Sequence, residues 1–279
     1  MDQLFYAMDT SFYTSLGSYD FDARCEMIKE LGFDATYLTL WSEAAWNDVP
    51  KLKDVHRKHG LDVASVYTMY DLSKGSDEGD NGRISHLIQT IDGCKNIQIA
   101  ILESKGRFQK SDPAGDDTAI MALGQLLDLA SRRGVQILLY PHITLWLERT
   151  EDAVRLCRKL DRPNLGIVFC GYHWYAVDGE NLTACLTNAS PFLQDVNLCG
   201  SRRLKDQSVT RCTLEPLDDG ELDNFAVLGA LDSINYRGMI GVQGYSVAGD
   251  VYAKLRRSII AYRDMKRRLK LHPDWAKLR

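Results

Sequence analysis

The chain has 279 residues, of which 45% are hydrophobic and 26% are charged. This composition is ordinary for a globular protein and excludes the disordered and fibrous classes. The formal net charge is −4 at pH 7, so no basic surface suited to a nucleic-acid backbone is indicated and no nucleic-acid partner is expected.

Eight short apolar runs recur along the chain and predict buried β-strands. The runs are continuous rather than alternating, which is typical of strands that are covered on both faces in a parallel sheet. They lie at 4–8, 35–40, 63–69, 97–102, 135–140, 165–170, 193–198 and 239–244.

Amphipathic segments with helical spacing separate these runs, and several of them end at a glycine. The segments FDARCEMIKEL, KLKDVHRKH and DTAIMALGQLLDLASRR stop before Gly32, Gly60 and Gly134, and an apolar run follows each glycine. Glycine after a basic or polar last turn commonly caps the C-terminus of a helix. The sequence therefore predicts repeated strand–helix units of about 25 to 40 residues.

Eight such units predict an α/β fold, a (β/α)8 TIM barrel in a single domain. The alternative is an open Rossmann-like sheet, although no GxGxxG sequence follows a predicted strand. We assign 1–270 to the barrel and 271–279 to a C-terminal tail. The basic segment 263–279, which continues the last helix up to Pro273, is interpreted as a solvated helix end, with a contact in a homo-oligomer as the alternative. The polar segment 73–83 is expected to be a mobile surface loop.

Neither the cysteines nor the apolar runs indicate an oxidising or a membrane environment. The seven cysteines are an odd number without a CxxC pair, so no disulfide framework is predicted and most should be buried thiols. No apolar run approaches the roughly 20 residues that are needed to cross a bilayer. We expect a cytoplasmic protein with no membrane partner, although a signal peptide removed before Met1 would leave no trace.

The residues that follow the predicted strands are rich in polar and aromatic side chains. Active sites of (β/α)8 barrels form at the C-terminal ends of the strands, so these side chains should meet at one mouth. The candidates are Asp9, Trp41, Glu43, Glu103, Tyr140, His142, Trp146, Cys170, His173, Trp174, Asn197, Arg202, Gln243 and Tyr245.

Two of these candidates, His142 and His173, follow consecutive predicted strands and have Trp146 and Trp174 nearby in sequence. A single histidine at a strand end is usually structural, but a second one on the next strand weakens that interpretation. Imidazoles titrate near neutral pH, and aromatic faces pack against the C–H side of sugar rings. The combination favours a carbohydrate site.

A basic cluster, Arg202, Arg203 and Lys205, follows the seventh predicted strand. Barrels often place an anion site at this position. The cluster would then hold a phosphate or carboxylate of the substrate. The alternative is a solvated charged loop.

Four segments carry a resemblance to a known family. The sequences YPH at 140–142, FCGYHWYAVDG at 169–179, LEPLDDGELD at 214–223 and GMIGVQGYSVAGD at 238–250 resemble the xylose isomerase-like TIM barrels, which include sugar phosphate isomerases and epimerases. The resemblance covers nearly the whole chain and implies a small carbohydrate or sugar phosphate as substrate. Inosose dehydratases and the endonuclease IV group belong to the same superfamily.

The resemblance also implies a divalent metal (Mn, Mg or Zn), which catalytic members hold through a Glu, an Asp, a His and a Glu after strands five to eight. The matching positions here are Tyr140, Cys170, Asn197 and Gln243. These side chains are poor ligands for such ions, so we expect neutral polar groups in place of the usual metal cage. His142 and His173 match positions that touch the substrate in relatives.

Two functions remain open from the sequence. The first is an enzyme that abstracts a proton next to a carbonyl of a small sugar, giving isomerisation, epimerisation or elimination. Its base and acid would be His142 and His173, its hydrogen-bond donors Tyr140, Asn197 and Gln243, and its reserve bases Glu103 and Glu43. The second is a non-catalytic carbohydrate-binding barrel. An apurinic-site nuclease would need a three-zinc cluster whose ligands this sequence does not supply.

Overall fold

Eight parallel strands close into a barrel in the computed structural model, which describes residues 3–177, 179–205, 211–245, 247 and 249–277. Each strand pairs with the next one along the chain, and the last pairs with the first. The strands are β1 Phe5–Ala7, β2 Ala35–Thr39, β3 Asp62–Asp71, β4 Asn96–Leu102, β5 Gln136–Leu139, β6 Leu165–Cys170, β7 Leu193–Leu198 and β8 Met239–Val242. The predicted TIM barrel is confirmed, and the open sheet is excluded.

The helices surround this barrel. They are α1 Phe21–Leu31, α2 Glu43–Asp48, α3 Val55–His59, α4 Gly79–Thr90, α5 Asp116–Arg133, α6 Thr150–Leu160, α7 Gly171–Val177, α8 Leu182–Ala189, α9 Asn224–Ser233 and α10 Val251–Leu271. Short 3₁₀ turns cover Asp9–Phe12, Val49–Asp54, Pro113–Gly115 and Pro273–Ala276, and a small ribbon pairs Tyr13–Thr14 with Gly17–Ser18.

Alternate strand residues face two different buried layers. Ala7 and Leu38 point outward into the main core between strands and helices, whereas Tyr6 and Tyr37 belong to a second cluster inside the barrel. The Tyr6 and Tyr37 rings stack with their centroids 5.7 Å apart. Because both faces of each strand are buried, apolar side chains occur at consecutive positions, and this explains the continuous runs in the sequence.

The element boundaries agree with the sequence expectations to within about two residues, with two informative differences. The segment 51–59 is not one helix: a 3₁₀ turn containing Pro50 precedes α3. The segment 73–83 is not all loop, because α4 begins at Gly79. Gly32 has φ 85° directly after α1, so the cap is a left-handed residue, as glycine permits.

The C-terminal end of the described chain stays in contact with the barrel. Helix α10 ends at Leu271, and the turn Pro273–Ala276 packs on α9, where Ala276 is buried. All seven cysteines are free and buried, as the sequence predicts for most of them. Within the described ranges, no helix is both long enough and apolar enough to span a membrane.

Gly241 of β8 lies where the barrel interior leaves no room for a side chain. A Cβ atom at this position would overlap the Tyr6 ring and would lie 2.7 Å from Oδ1 of Asn197. We expect Gly241→Ala to lower the free energy of unfolding by about 1–3 kcal/mol through overpacking, measured by urea denaturation. The matched control is Gly124→Ala on α5, where a Cβ atom meets nothing within 4 Å and should raise stability by about 0.5–1 kcal/mol. Equal effects at the two positions would contradict the packing argument.

Candidate active site

A cavity of about 500 Å³ opens at the C-terminal ends of the strands. Six of the candidate residues line it, namely Trp41, Tyr140, His142, His173, Gln243 and Tyr245. A larger groove of about 1090 Å³ runs along the outer surface between 217–225 and α10, and it lies away from both histidines. The cavity at the mouth is therefore the candidate site, as the barrel geometry leads one to expect.

His142 lies three residues beyond β5 and is held by the backbone of the next residue. Its Nδ1 lies 2.6 Å from the carbonyl oxygen of Ile143. A carbonyl only accepts, so Nδ1 carries the proton and Nε2 carries the lone pair when the ring is neutral. Burial lowers the pKa of His142, despite the opposing effect of this hydrogen bond. His142 is thus a neutral imidazole with a basic Nε2 at neutral pH.

His173 has the opposite arrangement. The backbone N–H of Ile143 donates to its Nδ1 at 3.4 Å, so Nδ1 carries the lone pair and Nε2 carries the proton. Burial, and then the neighbouring His142, lower the pKa of His173 well below 6.5. The two ring centroids are 4.0 Å apart. The site therefore pairs one imidazole that can accept a proton with one that can donate a hydrogen bond.

The segment that holds the pair is a strained turn. Thr144 has φ 77°, a left-handed conformation that β-branched residues rarely adopt and that costs about 1–3 kcal/mol. Three hydrogen bonds stabilise the turn: Thr144 N–H donates to Oε1 of Glu148, His142 N–H to the Leu147 carbonyl and Leu145 N–H to the His142 carbonyl. The turn fixes the position of Ile143, which bonds both imidazoles.

Several buried polar atoms at the cavity have no hydrogen-bond partner among the described residues. They are Oγ1 of Thr10, the hydroxyl of Tyr67 and Nε2 of His173. A buried polar group without a partner costs about 1–3 kcal/mol, so such groups call for a ligand or ordered water. Their convergence on one cavity indicates a ligand with several hydroxyl or carbonyl groups.

Tyr140 and Gln243 line the cavity beside the histidines, and the buried Cys170 hydrogen-bonds both of them. The thiol of Cys170 donates to Oε1 of Gln243 at 3.0 Å, and Tyr140 hydrogen-bonds the same thiol. Burial raises the pKa of Cys170 to about 11 and raises that of Tyr140 well above 10. All three side chains are therefore neutral at pH 7. They are placed to donate or accept hydrogen bonds but carry no charge.

Asn197 lies inside the barrel instead of on the cavity wall. The Tyr6 hydroxyl donates to its Oδ1 at 2.5 Å, within a network centred on Asp195. Asp195 also accepts from Ser65 at 3.2 Å and from Gln98 at 2.6 Å. Burial raises the pKa of Asp195 to about 7, although these hydrogen bonds act in the opposite direction.

Three acidic candidates lie away from the cavity. Asp9 is buried beneath it and accepts from Thr39 and from Arg24. Glu43 begins α2 and pairs with Arg83 at the surface. Glu103 accepts from the backbone and side chain of Arg107, and these bonds hold its pKa below the usual value even though burial acts to raise it. Each carboxylate is paired elsewhere, so none is positioned as a base.

Both tryptophans near the histidines in sequence also point away from the cavity. Trp146 is buried in the main core, and its indole N–H donates to the Asp112 carbonyl at 3.1 Å. Trp174 packs against Phe169 on the outer side of the barrel. The nearness of these tryptophans to the histidines in sequence was misleading, because each ring lies on the side of its turn or helix that faces away from the mouth.

The predicted anion cluster likewise does not reach the cavity. Arg202 pairs with Glu215 at 3.3 Å, and the guanidinium of Arg203 lies 4.7 Å from the centre of the Tyr175 ring. Lys205 is not part of the cavity wall. The structure thus favours the alternative of a paired and solvated loop over a phosphate site.

Sequence reasoning missed part of the wall. Thr10, Tyr67, Met69 and Ile143 all line the cavity. Tyr67 and Met69 lie within a predicted strand, where an inward position near the C-terminal end would have been the signal. The contribution of Ile143 comes from its backbone, which leaves no signal in the sequence.

The four positions at which the family holds its metal do not fit a divalent cation in this chain. Asn197 is bonded to Tyr6 inside the barrel, and the Cys170 thiol and Gln243 satisfy each other. Divalent Mg, Mn and Zn prefer carboxylate, imidazole or thiolate ligands, and here the thiol is protonated. In the described part of the chain, no three His, Cys, Asp or Glu side chains are grouped so that they could hold a metal ion. We derive no catalytic step through one.

The chain belongs to the family described as xylose isomerase-like TIM barrel, whose model matches residues 25–259. This agrees with the resemblance seen in the sequence. No curated protein matches the chain.

Solved structures with the same fold include sugar epimerases. A 3-keto-D-glucoside 4-epimerase, YcjR, from E. coli is 20% identical, with a TM-score of 0.73 over 94% of this chain and 100% of that chain. An L-ribulose 3-epimerase is 14% identical, with a TM-score of 0.73 over 97% and 98%. An IolI protein with a bound zinc atom is 17% identical, with a TM-score of 0.74 over 94% and 97%. At these identities the likeness shows a shared fold.

Proposed function

We propose that this chain is an isomerase- or epimerase-like enzyme that transfers a proton next to a carbonyl of a small carbohydrate. The observation that carries the proposal is the pair His142 and His173, which share one cavity and hold their protons on opposite nitrogens because Ile143 bonds both rings. Family membership and the two epimerases of the same fold support the substrate class.

The proposed reaction begins with the lone pair on Nε2 of His142. This atom removes the proton from the carbon next to the substrate carbonyl, the electrons of the C–H bond form a C=C bond to the carbonyl carbon, and the π electrons of the carbonyl move to its oxygen. Nε2–H of His173 donates a hydrogen bond to the oxygen as its negative charge develops. A neutral imidazole suits this task, because its N–H can donate a hydrogen bond to the oxyanion while the ring itself stays uncharged.

The enediolate then reacts onward. Return of the proton from His142 to the former carbonyl carbon, with a hydroxyl proton passing between the two oxygens, gives an isomer. Loss of a leaving group from the carbon on the other side of the deprotonated carbon gives an elimination, in which His142 passes its proton to the leaving group or to water. Epimerisation needs delivery to the opposite face, for which the Tyr140 hydroxyl on the cavity wall and the Cys170 thiol hydrogen-bonded to it are protonated candidates. Each would act as a donor, since burial keeps both protonated at neutral pH.

The cavity also suits a polyol. Oγ1 of Thr10 and the hydroxyl of Tyr67, both on residues of its wall, have no hydrogen-bond partner among the described residues, and Gln243 adds an amide to the wall. Each hydrogen bond to a sugar hydroxyl would contribute about 0.5–1.5 kcal/mol net. The ring of Tyr67 on the cavity wall offers apolar contact to the C–H side of the sugar.

Deuterium exchange from solvent tests the proposal without assuming a product. Ketoses, keto-glycosides and their phosphates are incubated in D₂O, and NMR follows the loss of the proton next to the carbonyl. We expect exchange in at least one sugar. The rate should fall as pH drops through the lowered pKa of His142, because only its neutral form is a base, so the midpoint of the acid limb should lie below 6.5. Exchange that persists in a His142→Ala, His173→Ala double variant would refute the proposal.

The alternative is a carbohydrate-binding barrel without catalysis. The observation that favours it is the poor fit of the four family metal positions to a cation. Sugar binding with no exchange in any member of the panel would support this alternative over the enzyme.

A further inference from the structure

The mouth of the cavity carries an aromatic platform, formed by Trp41 and Tyr245, outside the histidine pair. Trp41 is 42% exposed and Tyr245 is 44% exposed. Their rings meet almost at right angles, with centroids 5.5 Å apart. Large aromatic side chains left open at the rim of a cavity mark a surface that a ligand covers.

Ring contacts connect this platform to the histidines. The Trp41 ring contacts Tyr67 at 6.0 Å, Tyr67 contacts Tyr140 at 5.1 Å, and Tyr140 contacts His173 at 5.6 Å. The cavity volume of about 500 Å³ falls within the range of about 300–1,000 Å³ that holds drug-sized ligands. One ligand can therefore reach both the histidine pair and the platform.

Polar and apolar groups occupy different ends of the cavity. The unpartnered polar atoms of Thr10, Tyr67 and His173 are buried, whereas the open end exposes Trp41, Tyr245 and the side chain of Met69, which is 37% exposed. A ligand that matches this division has a hydroxyl-rich end inside and a flat apolar end at the mouth.

The charges of the wall disfavour one class of ligand. Among the described residues that line the cavity there is no Lys or Arg, and the one carboxylate is Asp80 at the mouth. A bound phosphate is usually held by cationic side chains, which the described part of this wall does not supply, and the charge of Asp80 is paired with Arg83 at 3.9 Å. Arg202 is engaged with Glu215 away from this wall.

We propose that the aromatic platform is a second subsite that takes a flat apolar aglycone, so that the substrate is an uncharged glycoside instead of a sugar phosphate. This assignment rests on the proposed function, because it takes the histidine pair as the subsite for the sugar. The sugar lies against His142 and His173, and the aglycone stacks in the corner between Trp41 and Tyr245.

Isothermal titration calorimetry on the full chain tests the assignment without requiring turnover. For each of glucose, galactose, mannose and xylose, the 4-nitrophenyl glycoside, the methyl glycoside and a phosphate ester of the sugar are compared. We expect at least one aryl glycoside to bind about tenfold or more tightly than its methyl counterpart, which corresponds to about 1.4 kcal/mol. The phosphate ester should bind more weakly than the methyl glycoside.

Variants locate this preference. Trp41→Ala and Trp41→Leu should reduce the aryl-to-methyl ratio to about threefold or less, and the leucine variant guards against a loss of folding. Trp275→Ala removes an exposed tryptophan at the other end of the chain and should leave the ratio unchanged. Equal affinities for aryl and methyl glycosides, a preference for the phosphate, or no binding in any series would overturn the proposal. An aryl preference without deuterium exchange would refute the proposed function and leave the second subsite standing.

Discussion

Replacing His142 by glutamine should lower kcat/KM for a responsive sugar by about 10²–10⁴-fold, whereas the same replacement at His173 should cost only about tenfold. The difference follows from the tautomers that Ile143 imposes. His142 must supply a lone pair, which an amide nitrogen lacks. His173 must supply an N–H, which a glutamine amide retains. His173→Ala removes the donor and should cost about 10²–10³-fold.

The measurement is the rate of deuterium exchange at saturating and limiting sugar, with binding followed separately by calorimetry. His86→Gln is the matched control, because His86 is an exposed residue of α4 away from the cavity, and kcat/KM should stay within about twofold. If glutamine were tolerated at 142 and not at 173, the two roles would be reversed. Equal losses at both positions would mean that both imidazoles transfer protons.

The second large effect concerns Asp195, the buried carboxyl at the centre of the barrel. Its pKa is raised to about 7, so between pH 4 and 7 the folded chain keeps a proton that the unfolded chain releases. The contribution of Asp195 to the free energy of unfolding is therefore largest below pH 4, and it is lost as the pH rises through 7. Between pH 5 and pH 8 the loss should be roughly 3 kcal/mol, which the Asp195→Asn variant should not show.

Urea denaturation of wild type and variant at each pH isolates this contribution, because other groups titrate alike in both proteins. The control is Asp71→Asn. The hydrogen bonds from Ser104 and Ser73 outweigh burial and lower the pKa of Asp71 to about 2, so it stays ionised across this window. The difference between that variant and wild type should therefore be constant from pH 5 to pH 8. A constant difference for Asp195→Asn as well would show that its carboxyl is already ionised at pH 5.

The sequence is sufficient to predict the barrel because burial leaves a direct mark on it. Strands covered on both faces give runs such as 165–170, and helices that end in left-handed glycine give caps such as Gly32. Both signals are local in the sequence, so they can be recognised before the fold is known. The proline-containing segment before α3 and the first turn of α4 lack such a signal, and their boundaries differ from expectation.

The site was only partly predictable, because orientation depends on tertiary contacts. The strand ends predicted that Tyr140, His142, His173 and Gln243 would meet at one mouth, and all four line the cavity. The orientation of the Trp146 side chain instead depends on its hydrogen bond to the carbonyl of Asp112, a residue in a distant segment of the chain. Partners of this kind cannot be inferred from spacing in the sequence.

The left-handed Thr144 places stability and activity in opposition at one position. Glycine would adopt φ 77° without steric strain, and relief of about 1–3 kcal/mol of strain exceeds the roughly 0.4–1 kcal/mol by which glycine favours the unfolded chain, so Thr144→Gly should make the native state harder to unfold. The same glycine would loosen the peptide plane of Ile143, on which the proton positions of both imidazoles depend. Selection of this barrel for heat tolerance would therefore favour a change here that selection for turnover would reject.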